Sequence, residues 1–231
     1  MTMLLSLETS THSCSCALHQ DQKLIALNES GEKQTAASQL AVMVDEMFRR
    51  IGFEKKHLDA VVVASGPGSY TGLRIGIATA KGICCALNIP LIAVNTLSLM
   101  VGQFIDQFQG MDLKDSLLCP MLDARRMEVY CTITDHLGQT VEPIQAKVID
   151  ENSFHDQLAD KIIYFFGEGS EKCKGAIHHV NAKFVNDIKP SASHLGRAGY
   201  KKYVNNETEN PNLLEPLYLK DFLITKPKLI S

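Results

Sequence analysis

Residues 3–7 (MLLSL) form an apolar run, and residues 13–19 and 24–28 follow as two further strand patterns, with Cys14, Cys16 and Leu18 alternating with neighbours of the other face. The HQDQ segment between the last two is a turn, so the chain is expected to open as a three-stranded meander. In 38–51 (SQLAVMVDEMFRRI) the period changes: Leu40, Met43, Val44, Met47, Phe48 and Ile51 recur at three- and four-residue steps, and Asp45, Glu46, Arg49 and Arg50 take the other face. This is an amphipathic helix ended by Gly52. Residues 60–64 (AVVVA) and 90–94 (PLIAV) are apolar without alternation, as strands covered on both faces are. A helix over 71–88 joins them as a right-handed crossover. The first hundred residues therefore read β-β-β-α-β-α-β.

The remainder repeats that order more loosely. Strands are expected at 117–122 and 127–134, followed by a DHLG hairpin. A helix near 152–160 comes next, then a strand at 161–166, a GEGS turn with a short helix, a strand at 178–185 and a helix at 191–204. Two related halves of one α/β fold follow from this, with no sequence repeat visible between them. The boundary is placed in the polar, glycine-punctuated stretch 102–116, giving halves of 1–105 and 106–231.

Composition narrows the classes of function. A formal net charge of −3, from 23 basic and 26 acidic residues, is not that of a chain whose main task is neutralising nucleic-acid phosphates by itself. The start MTMLLSLETS has no basic region ahead of an apolar core, so it does not read as a signal peptide, and no run approaches membrane-spanning length. A cytoplasmic protein with free thiols is expected, since the seven cysteines form no C-x-x-C pair. The eight histidines form neither H-x-x-x-H nor H-E-x-x-H, and no serine sits in G-x-S-x-G, so neither a helical metal site nor a hydrolase elbow is legible.

The segment 65–82 (SGPGSYTGLRIGIATAKG) carries the sharpest local signal. Gly66, Gly68 and Gly72 miss the dinucleotide fingerprint by one residue and lack the Gly-Lys-Ser/Thr ending of a Walker loop. Ser69 or Thr71 is placed to cap the following helix. Arg74 lies in its first turn, where a cation opposes the helix dipole, so an anion is expected to offset it: a carboxylate such as Glu8, a bound phosphate or a partner's carboxylate. Glu8, Thr9 and Ser10 close the first strand as a polar turn that, with Ser69 and Arg74, is a candidate contact for an anion or nucleotide. Gly72, Gly76 and Ala80 recur every four residues and leave a groove for another backbone. Asp123-Ala124-Arg125-Arg126, between two strands of the second half, reads as a solvated or self-paired turn, or as a functional one.

The segments LLSLETSTHSCSCAL, VASGPGSYTGLRIGIATAKGICCALNIPLIAVNTL, LDARRMEVYCTI and PLYLKDF, in that order, resemble the TsaB (YeaZ) family of bacterial threonylcarbamoyladenosine tRNA-modification proteins. The resemblance implies an actin-like, ribonuclease H-like ASKHA fold with a reduced second half. It also implies a noncatalytic subunit, without catalytic residues or metal, that activates the related TsaD transferase. An ATPase component, TsaE, a homodimer in isolation, and ATP or ADP with magnesium at the shared interface belong to the same expectation, with tRNA met only through the complex. The alternative is a self-sufficient phosphotransferase or peptidase of the same fold. Two departures stand out: Ala37 occupies the place of a histidine common in the family, and Glu8 that of an aspartate. The expected partner seam is the helix pair 38–51 and 71–88, through Leu40, Met43, Val44, Met47, Gly72, Gly76, Ile77, Ala80 and Cys84. Replacing Met43 and Met47 by Asp is then expected to abolish the complex and leave the monomer folded. Arg74, Lys220, Lys226 and Lys228 are candidates for weak nucleotide or tRNA contact.

Overall fold

The computed structural model describes residues 1–30 and 36–220, with backbone alone at 36–38. Lys226, Lys228 and the side chain of Ala37 lie outside the described part. Strand β1 (Met3–Glu8) pairs antiparallel with β2 (Cys14–Gln20), which pairs antiparallel with β3 (Lys23–Ser30). On its other side β1 runs parallel to β4 (Ala60–Ala64), and β4 runs parallel to β5 (Leu91–Val94). Helices α1 (Ala36–Ile51) and α2 (Tyr70–Leu87) cover one face of this sheet. Leu5, Leu7, Val61 and Val63 point into that layer, while Leu4, Ala60 and Val62 point the other way, so β1 and β4 are buried on both faces. This two-sided burial is the physical reason for the unalternating AVVVA run.

The chain then crosses to a second sheet through α3 (Thr96–Gln107), capped by Asn95, whose side-chain oxygen accepts from the backbone N–H groups of Leu97 and Ser98. Strands β6 (Ser116–Asp123), β7 (Glu128–Asp135) and β8 (Thr140–Val148) form a second meander. The helix α4 (His155–Asp160) precedes β9 (Ile162–Phe166), and α5 (Glu168–Cys173) precedes β10 (Ala182–Val185). The strand orders β3-β2-β1-β4-β5 and β8-β7-β6-β9-β10 are the same five-strand arrangement twice. The second half is the reduced one, since six-residue α4 and α5 stand where the first half has sixteen- and eighteen-residue helices.

The halves exchange helices. Leu97, Met100, Val101 and Phe104 of α3 pack on the second sheet with Leu118, Leu122 and Phe166. In return α6 (Leu195–Val204), reached through a single helical turn at 192–194, lays Leu195 on the first sheet beside Leu4, Val62 and Ile92. The stretch expected to be a polar boundary is thus partly helix, with α3 running across position 105. The segment after α6 ties the halves again. Glu209 bridges to Leu91 at the β5 edge, Leu217 N–H donates to the Ser65 carbonyl at 2.8 Å, and Lys220 reaches the Ala124 carbonyl of the second half at 3.2 Å.

Candidate functional site

The β1–β2 turn and the glycine segment meet at the C-terminal end of β1. A Cβ on Gly68 would lie 2.2 Å from the Ser10 carbonyl oxygen, one on Gly72 2.0 Å from that of Thr9, and one on Gly76 2.3 Å from the Thr9 hydroxyl. The glycines let α2 press its backbone against this turn. Thr9 Oγ1 donates to the Gly72 carbonyl at 2.8 Å, and Ser69 N–H donates to the Ser10 carbonyl at 2.6 Å. Ser69 is the N-cap of α2: its hydroxyl oxygen accepts from Gly72 N–H.

Glu8, Thr9 and Ser10 are at most 2% exposed, so they form a packed turn and not an open cradle. Glu8 Oε1 accepts from Ser10 N–H at 2.5 Å, while Glu8 Oε2 and Ser10 Oγ have no partner among the described residues. Burial pushes the Glu8 carboxyl up from 4.5 to about 7 against the lowering effect of its Ser10 hydrogen bonds.

Arg74 does not pair with Glu8. Its Nε donates to the Tyr218 hydroxyl at 3.0 Å, and its guanidinium lies 4.3 Å from the Tyr70 ring centre. The expected carboxylate is buried inside the turn, whereas Arg74 is on the outer face of α2, where phenol and ring offset the cation. The Tyr70 and Tyr218 rings are 4.9 Å apart, so the chain's last described segment closes over the start of α2.

The nine residues expected to form a partner seam lie in the monomer's own core. Leu40, Met43, Val44, Met47, Ile77, Ala80 and Cys84 are no more than 8% exposed, and Gly72 and Gly76 are buried. Met43 and Met47 replaced by Asp would place two carboxylates in that core, so the expectation of a folded monomer fails. On the outward side Ala41 and Val42 of α1 and Ala78, Gly82 and Cys85 of α2 are exposed, alongside the charged Glu46, Arg49 and Arg50 of α1 and Arg74 of α2. Val42 is 55% exposed, and a Cβ on Gly82 would meet nothing within 4 Å. Sequence periodicity found the apolar stripe correctly and misassigned which side faces out, because a core stripe and a seam share one pattern.

The β6–β7 hairpin, Asp123–Glu128, is held from within. Lys172 Nζ pairs with the Asp123 carboxylate and donates to the carbonyls of Arg126 at 2.6 Å and Glu128 at 2.7 Å. The Lys172 ammonium counteracts the partial burial of Asp123 and holds its carboxyl below the usual range. Lys220 pairs with the Glu128 carboxylate. Among the described residues no cluster of three or more His, Cys, Asp or Glu is placed to hold a metal ion, and no helix is long and apolar enough to cross a membrane.

The family described as TsaD: tRNA N6-adenosine threonylcarbamoyltransferase matches residues 33–224, most of the chain. The tRNA threonylcarbamoyladenosine biosynthesis protein TsaB of Haemophilus influenzae is 26% identical over 227 residues, covering 94% of this chain and 93% of its own length. Its Bacillus subtilis namesake is 28% identical with the same coverage of both. The chain belongs to the TsaB (YeaZ) family. YeaZ from Pseudomonas aeruginosa superposes with a TM-score of 0.75 at 25% identity, over 95% of this chain and all of that one. The ethanolamine utilization protein EutJ from Carboxydothermus hydrogenoformans, 9% identical with a TM-score of 0.50, shares the fold alone over 86% of this chain and 91% of its own. The actin-like, two-half α/β architecture is therefore that of the family and of its wider fold class.

Proposed function

We propose that this chain takes part in threonylcarbamoyladenosine formation on tRNA as a noncatalytic subunit that binds and activates a TsaD-type transferase. The observation that carries this reading is the closed β1–β2 turn. Glu8, Thr9 and Ser10 are buried under the glycine face of α2, pinned there by the Thr9 and Ser10 hydrogen bonds, and no substrate reaches them without unpacking the helix. The outward strip of Ala41, Val42, Ala78, Gly82 and Cys85 is small enough for a partner helix to approach closely. The TsaD-type subunit docks there in the assembled complex, a second copy of the chain does so in isolation, and TsaE joins the assembly. ATP or ADP with magnesium binds at the shared interface, in the cytoplasm.

The experiment is co-expression with a TsaD-type transferase and size-exclusion chromatography. The parent chain is expected to co-elute with the transferase. Gly82→Trp, which fills the open strip without touching the core, is expected to weaken the complex at least tenfold while leaving the thermal transition of the isolated chain within a few degrees. Co-elution unchanged by Gly82→Trp would remove the strip from the interface. Micromolar magnesium–ATP binding by the isolated chain, measured by calorimetry, would favour the self-sufficient enzyme instead.

A further inference from the structure

The tip of the β6–β7 hairpin consists of two adjacent arginines in an unusual backbone state. Arg125 and Arg126 have φ of 69° and 48°, the left-handed region that glycine and asparagine normally fill in such a turn. A non-glycine residue is strained there, and such strain persists only where the surroundings enforce it. The enforcement is visible. Arg125 N–H donates to Asp123 Oδ1 at 2.9 Å, Glu128 N–H donates to the Arg125 carbonyl at 3.2 Å, and Lys172 holds the Arg126 and Glu128 carbonyls from beneath. The hairpin's own acids are already matched, Asp123 with Lys172 and Glu128 with Lys220. Both arginines are exposed, and neither guanidinium has a hydrogen bond or ion pair among the described residues. Among the described residues the clamped turn thus presents two unpaired cations on a chain whose net charge is −3.

We propose that Arg125 and Arg126 form a contact for the phosphodiester backbone of RNA. Within the hairpin tip the exposed apolar side chain among the described residues is that of Met127, so the tip lacks the buried centre that a protein–protein contact needs. Protruding guanidiniums are what a phosphate backbone is gripped by, bidentately and without regard to base sequence. The choice of RNA among phosphate-bearing ligands rests on the role in tRNA modification proposed above, and it adds a direct contact to the expectation that RNA is met only through the complex.

The test uses the full chain and a fluorescently labelled anticodon stem-loop RNA, followed by anisotropy between 50 and 200 mM salt. Arg125→Gly with Arg126→Gly removes both cations and relieves the turn, so the double variant is expected to melt no lower than the parent. Its RNA affinity is expected to fall about tenfold, and the slope of log affinity against log salt to flatten by roughly 1 to 2. Failure of the parent chain to bind the stem-loop at 50 mM salt would overturn the proposal. Equal affinity of parent and double variant would do the same, as would stronger binding of a labelled polyglutamate peptide than of RNA. Co-elution with the transferase is independent of these arginines, so it separates failure of the RNA contact from failure of the subunit role.

Discussion

Glu8 and His19 give the fold opposite dependences on pH. Burial raises the Glu8 carboxyl from 4.5 to about 7, so the folded chain holds this proton more tightly than the unfolded one. Its contribution to stability is complete below pH 4.5 and is lost as pH rises through 7. Glu8→Gln keeps an acceptor for Ser10 N–H and carries no charge. It is expected to match the parent near pH 3.5 and to exceed it at pH 9 by on the order of 3 kcal/mol in urea denaturation. His19 works the other way. Its Nδ1 lies 3.1 Å from Ser6 Oγ and its Nε2 3.1 Å from the Ser193 carbonyl, which requires a proton on Nε2 and a bare Nδ1 accepting from the serine. Burial lowers its pKa from 6.5, so stability is complete above that value and declines as pH falls below it. The two slopes oppose one another on the acid side of neutrality, Glu8 lowering stability as pH rises from 4.5 to about 7 and His19 raising it as pH rises toward 6.5. A Glu8→Gln variant that still loses stability between pH 4.5 and 7 as the parent does would contradict the assignment to Glu8.

At the scale of elements, α2 shows why glycine spacing was readable and its meaning was not. The recurrence of Gly72 and Gly76 signals a close approach. Only the structure shows that the approaching group is the chain's own Thr9–Ser10 turn. Gly72→Ala places a methyl 2.0 Å from a carbonyl oxygen and is expected to cost at least 1–3 kcal/mol. Gly82→Ala, whose Cβ would meet nothing within 4 Å, is expected to stabilise by up to about 1 kcal/mol through helix propensity alone. Chemical denaturation of the two variants reads both signs. The strands of the first sheet were legible because their apolar runs are bounded by turn residues. The helix α3 was misjudged in part, since Gly102, Gln103 and Asp106 interrupt a stripe of Leu97, Met100, Val101 and Phe104 that one sheet face buries. Strand β8 left no clear signal beyond the hairpin before it: it is an edge strand with Pro143 in its middle, and its residues are exposed or half-buried throughout.

At the scale of the whole molecule, the two sheets are coupled by exchanged helices and by the 205–220 segment, which touches Leu91, Ser65 and Arg74 in the first half and Ala124 and Glu128 in the second. The duplication was legible as a repeated order of elements, but the exchange was not, because it depends on which sheet a helix packs against and not on its own pattern. The result is a scaffold whose polar turn is shut and whose outward features are a small-residue helix strip and a cationic hairpin. On the proposed reading this chain binds and the partner supplies turnover. Transfer to tRNA of a threonylcarbamoyl group labelled in the threonylcarbamoyl adenylate tests this most directly, comparing the chain alone, a TsaD-type transferase alone, and the two together. Incorporation is expected only when the transferase is present and to rise at least tenfold when this chain joins it. Comparable incorporation by the chain alone would contradict the account.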